Sequence, residues 1–186
     1  MHAEAHDPLN ILTRGDVRRL TKQVAYFLRH SYGIGANGPG KDVVVAVSTG
    51  QRALAAVVYG VLAAEGIYSA ASPAATASDL KRQALDGPGK VFVCSADVKN
   101  VVAEAAEAAG MPRRNVLVLE SWPEIKLSSI DGDVVCGFDK TLDWKPITDP
   151  ERLANQTACI LYSSGTTGLP KGKPTDHSFF STYSHY

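Results

Sequence analysis

Short apolar runs alternate with segments of helical period along most of this 186-residue chain. The run at 42–47 is rich in valine, which is typical of a strand covered on both faces of a sheet. Between 16 and 32, apolar residues recur every three or four positions, which indicates an amphipathic helix. The predicted strands are 42–47, 67–70, 90–94, 115–119 and 157–162, and the predicted helices are 16–32, 52–65, 79–85 and 98–109. This alternation predicts an α/β fold with a largely parallel sheet.

The pattern weakens between 120 and 155, where glycine and proline recur among acidic residues. We expect a long irregular connection over the surface here, with at most short strands. Its aspartates lack the spacing of a calcium-binding loop, so a solvated acidic connection is favoured over a metal site. These residues are Asp131, Asp133, Asp139, Asp143 and Asp149.

The charge balance limits the partners that this chain can have. Lysine plus arginine and aspartate plus glutamate each number 19, which gives a formal net charge of zero at pH 7. Proteins that bind nucleic acid or anionic membranes need a surplus of positive charge. The longest apolar stretch, 53–64, is too short to cross a bilayer, and the polar first nine residues contain no secretory signal. We therefore expect an intracellular protein with no nucleic-acid partner and no membrane span.

The cysteines and most histidines do not indicate a site. Cys94, Cys136 and Cys159 are odd in number and lack the spacing of a disulfide framework or a zinc site. Cys94 and Cys159 lie within apolar runs, which favours buried thiols over nucleophiles. Four histidines have no ligand-like spacing, so we expect them to be solvated: His2, His6, His30 and His185.

A loop of glycine and hydroxyl residues follows the last predicted strand. It reads Ser163-Ser164-Gly165-Thr166-Thr167-Gly168-Leu169-Pro170-Lys171-Gly172. Glycines let successive backbone N–H groups approach a ligand, and hydroxyls add donors for phosphate oxygens. At about 4 Å from a phosphate oxygen, the Lys171 charge contributes about 4 kcal/mol before desolvation. The loop predicts a polyphosphate site, although Pro170 stands where the common NTPase loop has its second glycine. The alternative is a flexible surface turn.

The eleven residues 162–172, YSSGTTGLPKG, resemble the signature loop of the adenylate-forming superfamily. This superfamily includes acyl-CoA synthetases, 4-coumarate–CoA ligases, firefly luciferase and peptide-synthetase adenylation domains. Upstream, 20–28 resembles its first helix, 41–44 its GD-V strand entry and 59–73 its G-L-A-G-Y-P-P stretch. The resemblance spans about 12–177 and is nearest to 4-coumarate–CoA-ligase-like and fatty-acyl-CoA-synthetase-like members. It implies part of the large N-terminal domain of the adenylate-forming fold.

The resemblance implies an acid–thiol ligase with a two-step reaction. A small-molecule carboxylic acid, aryl or fatty acyl, attacks the α-phosphate of ATP, and coenzyme A then takes the acyl group from the adenylate. Mg²⁺ is implied as well, with its ligand residue expected beyond this chain. The compartment implied is cytoplasmic or peroxisomal. By position, phosphate binding is assigned to Ser163, Ser164, Gly165, Thr166, Thr167, Gly168 and Lys171.

His177 falls five residues after Gly172, where the family often has a histidine near the acyl carboxylate. A solvated loop histidine is the alternative reading at this position. No other catalytic residue is assigned within the chain.

The chain also departs from the family. Members are much longer, so we expect 1–186 to be an incomplete N-terminal AMP-binding domain without the C-terminal domain and its catalytic lysine. Where the family has apolar residues, this chain has Lys173-Pro174-Thr175-Asp176. Its last residues include an aromatic cluster, whose density predicts a missing partner surface: Phe179, Phe180, Tyr183 and Tyr186. A truncated gene model, an expressed fragment or a pseudogene product would each explain these features.

Two functional hypotheses follow. In the first, the chain is the N-terminal part of an ATP-dependent carboxylate–CoA ligase whose activity belongs to the intact protein. In the second, the chain is a catalytically incompetent remnant or a non-catalytic interaction module. Exchange of pyrophosphate into ATP, dependent on a carboxylic acid, distinguishes the two.

Overall fold

The computed structural model describes residues 2–3, 7, 10–144, 146–163 and 171–177. The helices are α1 (Arg14–Tyr32), α2 (Leu54–Ala63), α3 (Ala77–Asp86), α4 (Lys99–Ala108) and α5 (Pro150–Asn155). The strands are β1 (His2–Ala3), β2 (Ile11–Leu12), β3 (Val43–Val47), β4 (Ile67–Ala71), β5 (Gly89–Ser95), β6 (Val116–Glu120), β7 (Lys126–Ser129), β8 (Thr157–Ser163) and β9 (Lys171–Asp176). In the ranges described, no helix has the length and apolar character needed to cross a membrane.

A seven-stranded sheet forms the centre of the molecule, in the order β7-β6-β5-β3-β4-β8-β9. The strands from β6 to β8 in this order pair in parallel. The two outer strands, β7 and β9, pair antiparallel with their neighbours. The predicted α/β fold with a largely parallel sheet is therefore confirmed.

Strand β3 is buried on both faces, as its run of valines predicts. Val44 packs on one face in a cluster with α1 and α2, which includes Leu28. Val43 and Val45 pack on the other face with α3 and α4, in a cluster that includes Leu80. All five of these residues are at most 1% exposed. Burying such a side chain contributes about 2 kcal/mol, so the helices are held on both faces.

Helices α1 and α3 begin two residues earlier than their periodicity predicts, because each starts with a capping box. The Thr13 hydroxyl accepts a hydrogen bond from the Asp16 N–H, and the Asp16 carboxylate accepts one from the Thr13 N–H. Thr76 and Asp79 form the same reciprocal pair. A T-x-x-D pattern satisfies N–H groups that lack partners in the first turn, and it is visible in the sequence.

Within 120–155, the short strand β7 agrees with the predicted irregular connection, whereas helix α5 departs from it. Strand β7 extends the sheet beside β6, and Leu127 within it is fully buried. Helix α5 begins at Pro150, where the Asp149 carboxylate accepts a hydrogen bond from the Glu151 N–H at 3.0 Å. The β7 residues KLSS carry little strand signal of their own. Pairing with the edge of β6 decides their conformation.

The three cysteines are free and buried. Burial raises the pKa of the Cys94 thiol to about 12 and that of Cys136 to about 11. Burial also raises the pKa of Cys159. Since the thiolate is the reactive form, these residues are packing groups rather than nucleophiles. The prediction of buried thiols at Cys94 and Cys159 is confirmed.

A buried carboxylate joins the end of α1 to the first residues of the central strands. Asp42 is 6% exposed and accepts hydrogen bonds from the Gly35 N–H at 2.7 Å and from Asn37 Nδ2 at 3.2 Å. Lys90 Nζ lies 3.3 Å from the same carboxylate and also donates to the Gly33 carbonyl at 3.0 Å. The buried charge is therefore paired and hydrogen-bonded.

We expect Asp42→Ala to lower the free energy of unfolding by about 3 kcal/mol, because it leaves buried donors and a cation without their acceptor. Urea denaturation measures this difference. The control is Glu107→Ala on the exposed side of α4, which should change stability by less than about 0.5 kcal/mol. Equal stability of the two variants would contradict the role assigned to Asp42.

Candidate functional site

The glycine-rich loop closes a hairpin between β8 and β9. Antiparallel pairing places Ser163 opposite Lys171 and Tyr162 opposite Gly172. Opposite residues of such a pair have Cα atoms about 5 Å apart, so both ends of the loop are held together. The side chain of Ser163 and five other predicted phosphate-binding residues lie outside the described residues: Ser164, Gly165, Thr166, Thr167 and Gly168. His6, His185 and the aromatic residues at 179–186 lie outside them as well.

Strand β9 is a feature that sequence periodicity does not predict. Its residues KGKPTD are polar, and Pro174 stands opposite Ile160. Proline is tolerated on a strand at a sheet edge, where a missing N–H costs no ladder bond. The pairing with apolar β8 therefore produces β9, and it brings Lys171 back to the end of β8.

A tyrosine packs directly across the glycine that follows Lys171. A Cβ atom on Gly172 would lie 2.9 Å from Tyr162 Cζ and 3.0 Å from Ile160 Cγ2. Real Cβ atoms do not approach so closely, so a side chain at this position must displace the tyrosine ring. Glycine is therefore favoured here, because it avoids displacing Tyr162.

Tyr162 also fixes the hairpin to α3. Its hydroxyl donates to the Gln83 carbonyl at 3.4 Å, and the Gln83 side-chain amide donates to Ser69 Oγ and the Ala70 carbonyl, each at 2.9 Å. Burial, together with the charge of Asp86, raises the pKa of Tyr162. The phenol therefore stays a neutral donor at physiological pH. It connects β8 to α3, and the Gln83 side chain connects α3 to β4.

Strand β8 ends, and the loop begins, at the edge of the sheet where ligands of parallel α/β proteins bind. Strand β8 runs parallel to β4, and β4 runs parallel to β3, so their carboxyl ends share one edge. Lys171 is exposed there and makes no ion pair within the residues the structure covers. A free cation beside this loop can neutralise the charge of a bound phosphate chain.

His177 lies at the other end of β9. It is six positions along the chain from Lys171, which is about 20 Å at about 3.3 Å per residue. Its N–H donates to the Leu153 carbonyl at 3.2 Å, and its ring is half-buried rather than solvated. Burial, aided by the charge of Arg152, lowers the pKa of His177. The structure therefore does not bring His177 together with Lys171, and it places His177 beside a cavity of about 880 Å³.

Near that cavity, one carboxylate is held between two arginines. Glu65 Oε1 lies 2.6 Å from Arg152 Nη2, and Glu65 Oε2 lies 3.2 Å from Arg29 Nη2. Glu65 has φ 63°, a left-handed conformation that costs a non-glycine residue about 1 kcal/mol. Burial acts to raise its pKa, but hydrogen bonds and charges of Arg152 and Arg29 outweigh burial and lower it. The three residues join α1, the end of α2 and α5, a cluster that no local sequence pattern indicates.

The sequence pattern of the family described as AMP-binding enzyme matches residues 2–184. This chain belongs to the AMP-binding enzyme family. A putative acyl-coenzyme A synthetase of Emericella nidulans is 42% identical over 179 residues, which is 95% of this chain and 32% of that protein. The 4-coumarate–CoA ligase-like 1 protein of Arabidopsis thaliana is 31% identical over 172 residues, 89% of this chain and 28% of that protein.

Solved structures of AMP-binding enzymes share the fold. A benzoate CoA ligase from Burkholderia xenovorans LB400 superimposes with a TM-score of 0.71 at 19% identity, over 100% of this chain and 33% of that one. The chain therefore spans about a third of the length of the relatives it matches. The resemblance to acyl-CoA synthetases and 4-coumarate–CoA ligase-like proteins predicted from the loop is confirmed.

The Gly172–Tyr162 contact predicts a local loss of stability. Gly172→Ala forces the tyrosine ring away, and overpacking of this kind costs about 1 to 3 kcal/mol. Hydrogen exchange at the β8 and β9 amides should therefore accelerate in this variant. Lys173→Ala, an exposed change one residue along β9, is the control and should leave exchange unchanged. Equal exchange rates in both variants would show that the ring does not press on Gly172.

The Glu65 cluster predicts a pH dependence. The folded pKa of Glu65 lies below the ordinary value of 4.5, so its stabilising contribution is complete above that pH and is lost as pH falls through the folded value. The stability difference between the wild type and Glu65→Gln should be constant near neutrality and shrink in acid. Urea denaturation across this range measures it, with Glu107→Gln as the control. A difference that does not change with pH would contradict the pairing.

Proposed function

We propose that this chain forms the N-terminal part of an ATP-dependent carboxylate–CoA ligase. Its substrate would be an aryl or fatty acyl acid, which is activated as an acyl-adenylate and transferred to coenzyme A. The observation that carries the proposal is the hairpin that holds a glycine- and hydroxyl-rich loop between Ser163 and an exposed Lys171. The names of its relatives, acyl-CoA synthetases and 4-coumarate–CoA ligase-like proteins, support the same chemistry.

In the proposed reaction, this part of the protein binds phosphates and forms no covalent bond with the substrates. A carboxylate oxygen of the acid attacks the α-phosphorus, and pyrophosphate leaves. The thiol of coenzyme A then attacks the acyl carbonyl, and AMP leaves. Negative charge on the departing pyrophosphate must be stabilised in the first step, and preorganised donors and cations do this most effectively.

The residues proposed for this task surround the closed end of the hairpin. Backbone N–H groups and hydroxyls of 163–168 would bind the β- and γ-phosphates, and Lys171 would neutralise their charge. Because the β8–β9 pairing places Ser163 opposite Lys171, the two ends of the loop are already together when the phosphates bind. The donor set fits a polyphosphate, which takes both N–H and cationic donors.

Mg²⁺, when bound, would add charge neutralisation at the phosphates. Among the residues that the structure describes, no group of three or more His, Cys, Asp or Glu could hold a metal ion. We assign its ligand, and the groups that bind adenine and ribose, to the part of a longer protein that corresponds to the remaining two thirds of the relatives. Residues 1–186 are then an incomplete AMP-binding domain.

A non-catalytic role for the isolated chain is the second candidate. It is favoured by the share of the relatives' length that this chain matches, about a third. In this case the chain would fold and bind polyphosphate weakly, without forming an adenylate. Both proposals place the chain in the same family. They differ in whether residues 1–186 alone form an adenylate.

Replacing Lys171 tests the phosphate assignment. In a hybrid protein, residues 1–186 replace the corresponding third of the Emericella nidulans relative. The exchange of labelled pyrophosphate into ATP that depends on a carboxylic acid is then measured in this hybrid. Lys171→Ala should lower exchange at least tenfold, equal to about 1.4 kcal/mol of transition-state stabilisation. Lys173→Ala removes an equally exposed charge two residues farther along β9 and should retain most activity.

If the hybrid protein is active and Lys171→Ala leaves its rate of pyrophosphate exchange unchanged, the assignment of Lys171 to phosphate binding is overturned. The isolated 186-residue chain is measured in parallel. Exchange by the isolated chain that Lys171→Ala abolishes would exclude the non-catalytic role, whereas no exchange would support it.

A further inference from the structure

A buried glutamine of α3 connects the central sheet to the β8–β9 hairpin. Gln83 is 7% exposed. Its side-chain amide donates to Ser69 Oγ and to the Ala70 carbonyl, each at 2.9 Å, and both acceptors belong to β4. Its backbone carbonyl accepts a hydrogen bond from the Tyr162 hydroxyl at 3.4 Å. One residue therefore contacts both the strand beside β8 and the part of β8 that leads into the loop.

These contacts lie where the pairing of β4 with β8 stops. The register of this pair ends with Ala70 opposite Leu161, whereas β8 continues to Ser163 with β9 as its neighbour. In the described part of the chain, the last two residues of β8 are therefore paired on one side only. The Gln83 amide holds the end of β4 at this point, and the Tyr162 hydroxyl connects the unpaired side of β8 to α3.

The C-terminal end of α3 also packs against the hairpin. A Cβ atom on Gly87, the residue after this helix, would lie 3.6 Å from Ile160 Cδ1 and 3.7 Å from Tyr162 Oη. The Gly87 N–H donates to the Gln83 carbonyl at 3.2 Å, so this carbonyl accepts two hydrogen bonds. The end of α3, the end of β4 and the end of β8 therefore meet at Gln83.

Apolar packing alone does not account for an amide at this place. A buried amide is costly unless its donors find partners, and the Gln83 amide finds two acceptors. Leu80 and Ala84 of the same helix already supply buried apolar contacts. Because hydrogen bonds are directional, the amide sets where the end of β4 lies relative to α3 more closely than apolar side chains do.

We infer that Gln83 is a positioning residue for the phosphate loop. It holds the end of β4 with its side chain and Tyr162 with its carbonyl, and it thereby fixes the end of β8 from which the loop starts. The inference rests on the proposed function, which assigns phosphate binding to this loop and Lys171. Gln83 acts through β4 and Tyr162 rather than on the phosphates themselves. Its loss should therefore weaken the binding of ATP and leave the binding of the acid unchanged.

Kinetics of the hybrid protein test this role. Gln83→Met keeps the length of the side chain and removes both donors. It should raise the KM for ATP in pyrophosphate exchange at least fivefold and change the KM for the acid less than twofold. Gln23→Met is the matched control, because Gln23 is 8% exposed and its amide donates to the Phe138 carbonyl from α1, on the opposite face of the sheet. This control should change neither KM by more than twofold.

Lys171→Ala in the same hybrid separates this inference from the proposed function. If Lys171→Ala lowers exchange and Gln83→Met has the same KM for ATP as Gln23→Met, the positioning role of Gln83 is overturned and the proposed function stands. If Lys171→Ala leaves exchange unchanged, the loop does not bind the phosphates, and both are overturned.

Hydrogen exchange on the isolated 186-residue chain is a second measurement, which needs no activity. Gln83→Met should accelerate exchange of the amides at 161–163 and 171–173 at least tenfold relative to Gln23→Met, after correction for the global stability that urea denaturation measures. Equal exchange rates in the two variants would overturn the inference even where the hybrid protein is inactive. If Gln83→Met does not fold, Ser69→Ala, which removes one acceptor of the amide, replaces it in both experiments.

Discussion

Strand β3 packs against helices on both faces, and this double burial sets the arrangement of the other elements. Its valines alternate between a cluster with α1 and α2 and a cluster with α3 and α4. Neither face can be left to solvent, so the chain must cross over between strands and return in the same direction. The crossovers give the parallel pairs β3–β4, β3–β5 and β4–β8. Parallel pairing in turn brings the carboxyl ends of these strands to one edge, where the loop after β8 lies.

The antiparallel return of β9 gives this edge an unusual electrostatic character. In many nucleotide-binding folds the phosphate loop leads into a helix, whose N-terminus supplies part of the positive field. Here the loop leads into a strand, and Lys171 is its first residue. In the proposed assignment, the positive field therefore comes from the loop N–H groups and from the Lys171 charge. The β8–β9 pairing places Lys171, at the end of the loop, opposite Ser163, at its start.

The sequence predicts the buried parts of this fold well and its edges poorly. The valine-rich strand and the amphipathic α1 have patterns that burial itself imposes, so their periodicity is informative. Strands β7 and β9 carry polar residues, and they form because β6 and β8 offer free edges with which to pair. Helix α5 does have a readable signal, an aspartate cap before Pro150.

The other features that the sequence does not predict depend on contacts between residues that are distant in sequence. Glu65 lies 87 residues from Arg152, and only the folded chain brings them together. The same holds for Asp143, which lies 121 residues from its ion-pair partner Lys22. The loop residues themselves carry a recognisable pattern, because their chemistry is local. The position of β8, which the loop follows, depends on its pairing with β4, and the loop pattern does not encode that pairing.

The register of β9 links the two ends of this region. A slip of one residue against β8 would replace Lys171 opposite Ser163 and turn every side chain of β9 to the other face. It would also move His177 by about 3.3 Å along the strand, away from Leu153. Polar edge strands specify register weakly, since neither face is buried. Gly172 adds to this specification, because a Cβ atom opposite Tyr162 and beside Ile160 would have to displace the tyrosine ring. Keeping the glycine opposite Tyr162 therefore also keeps Lys171 and His177 at their places along β8.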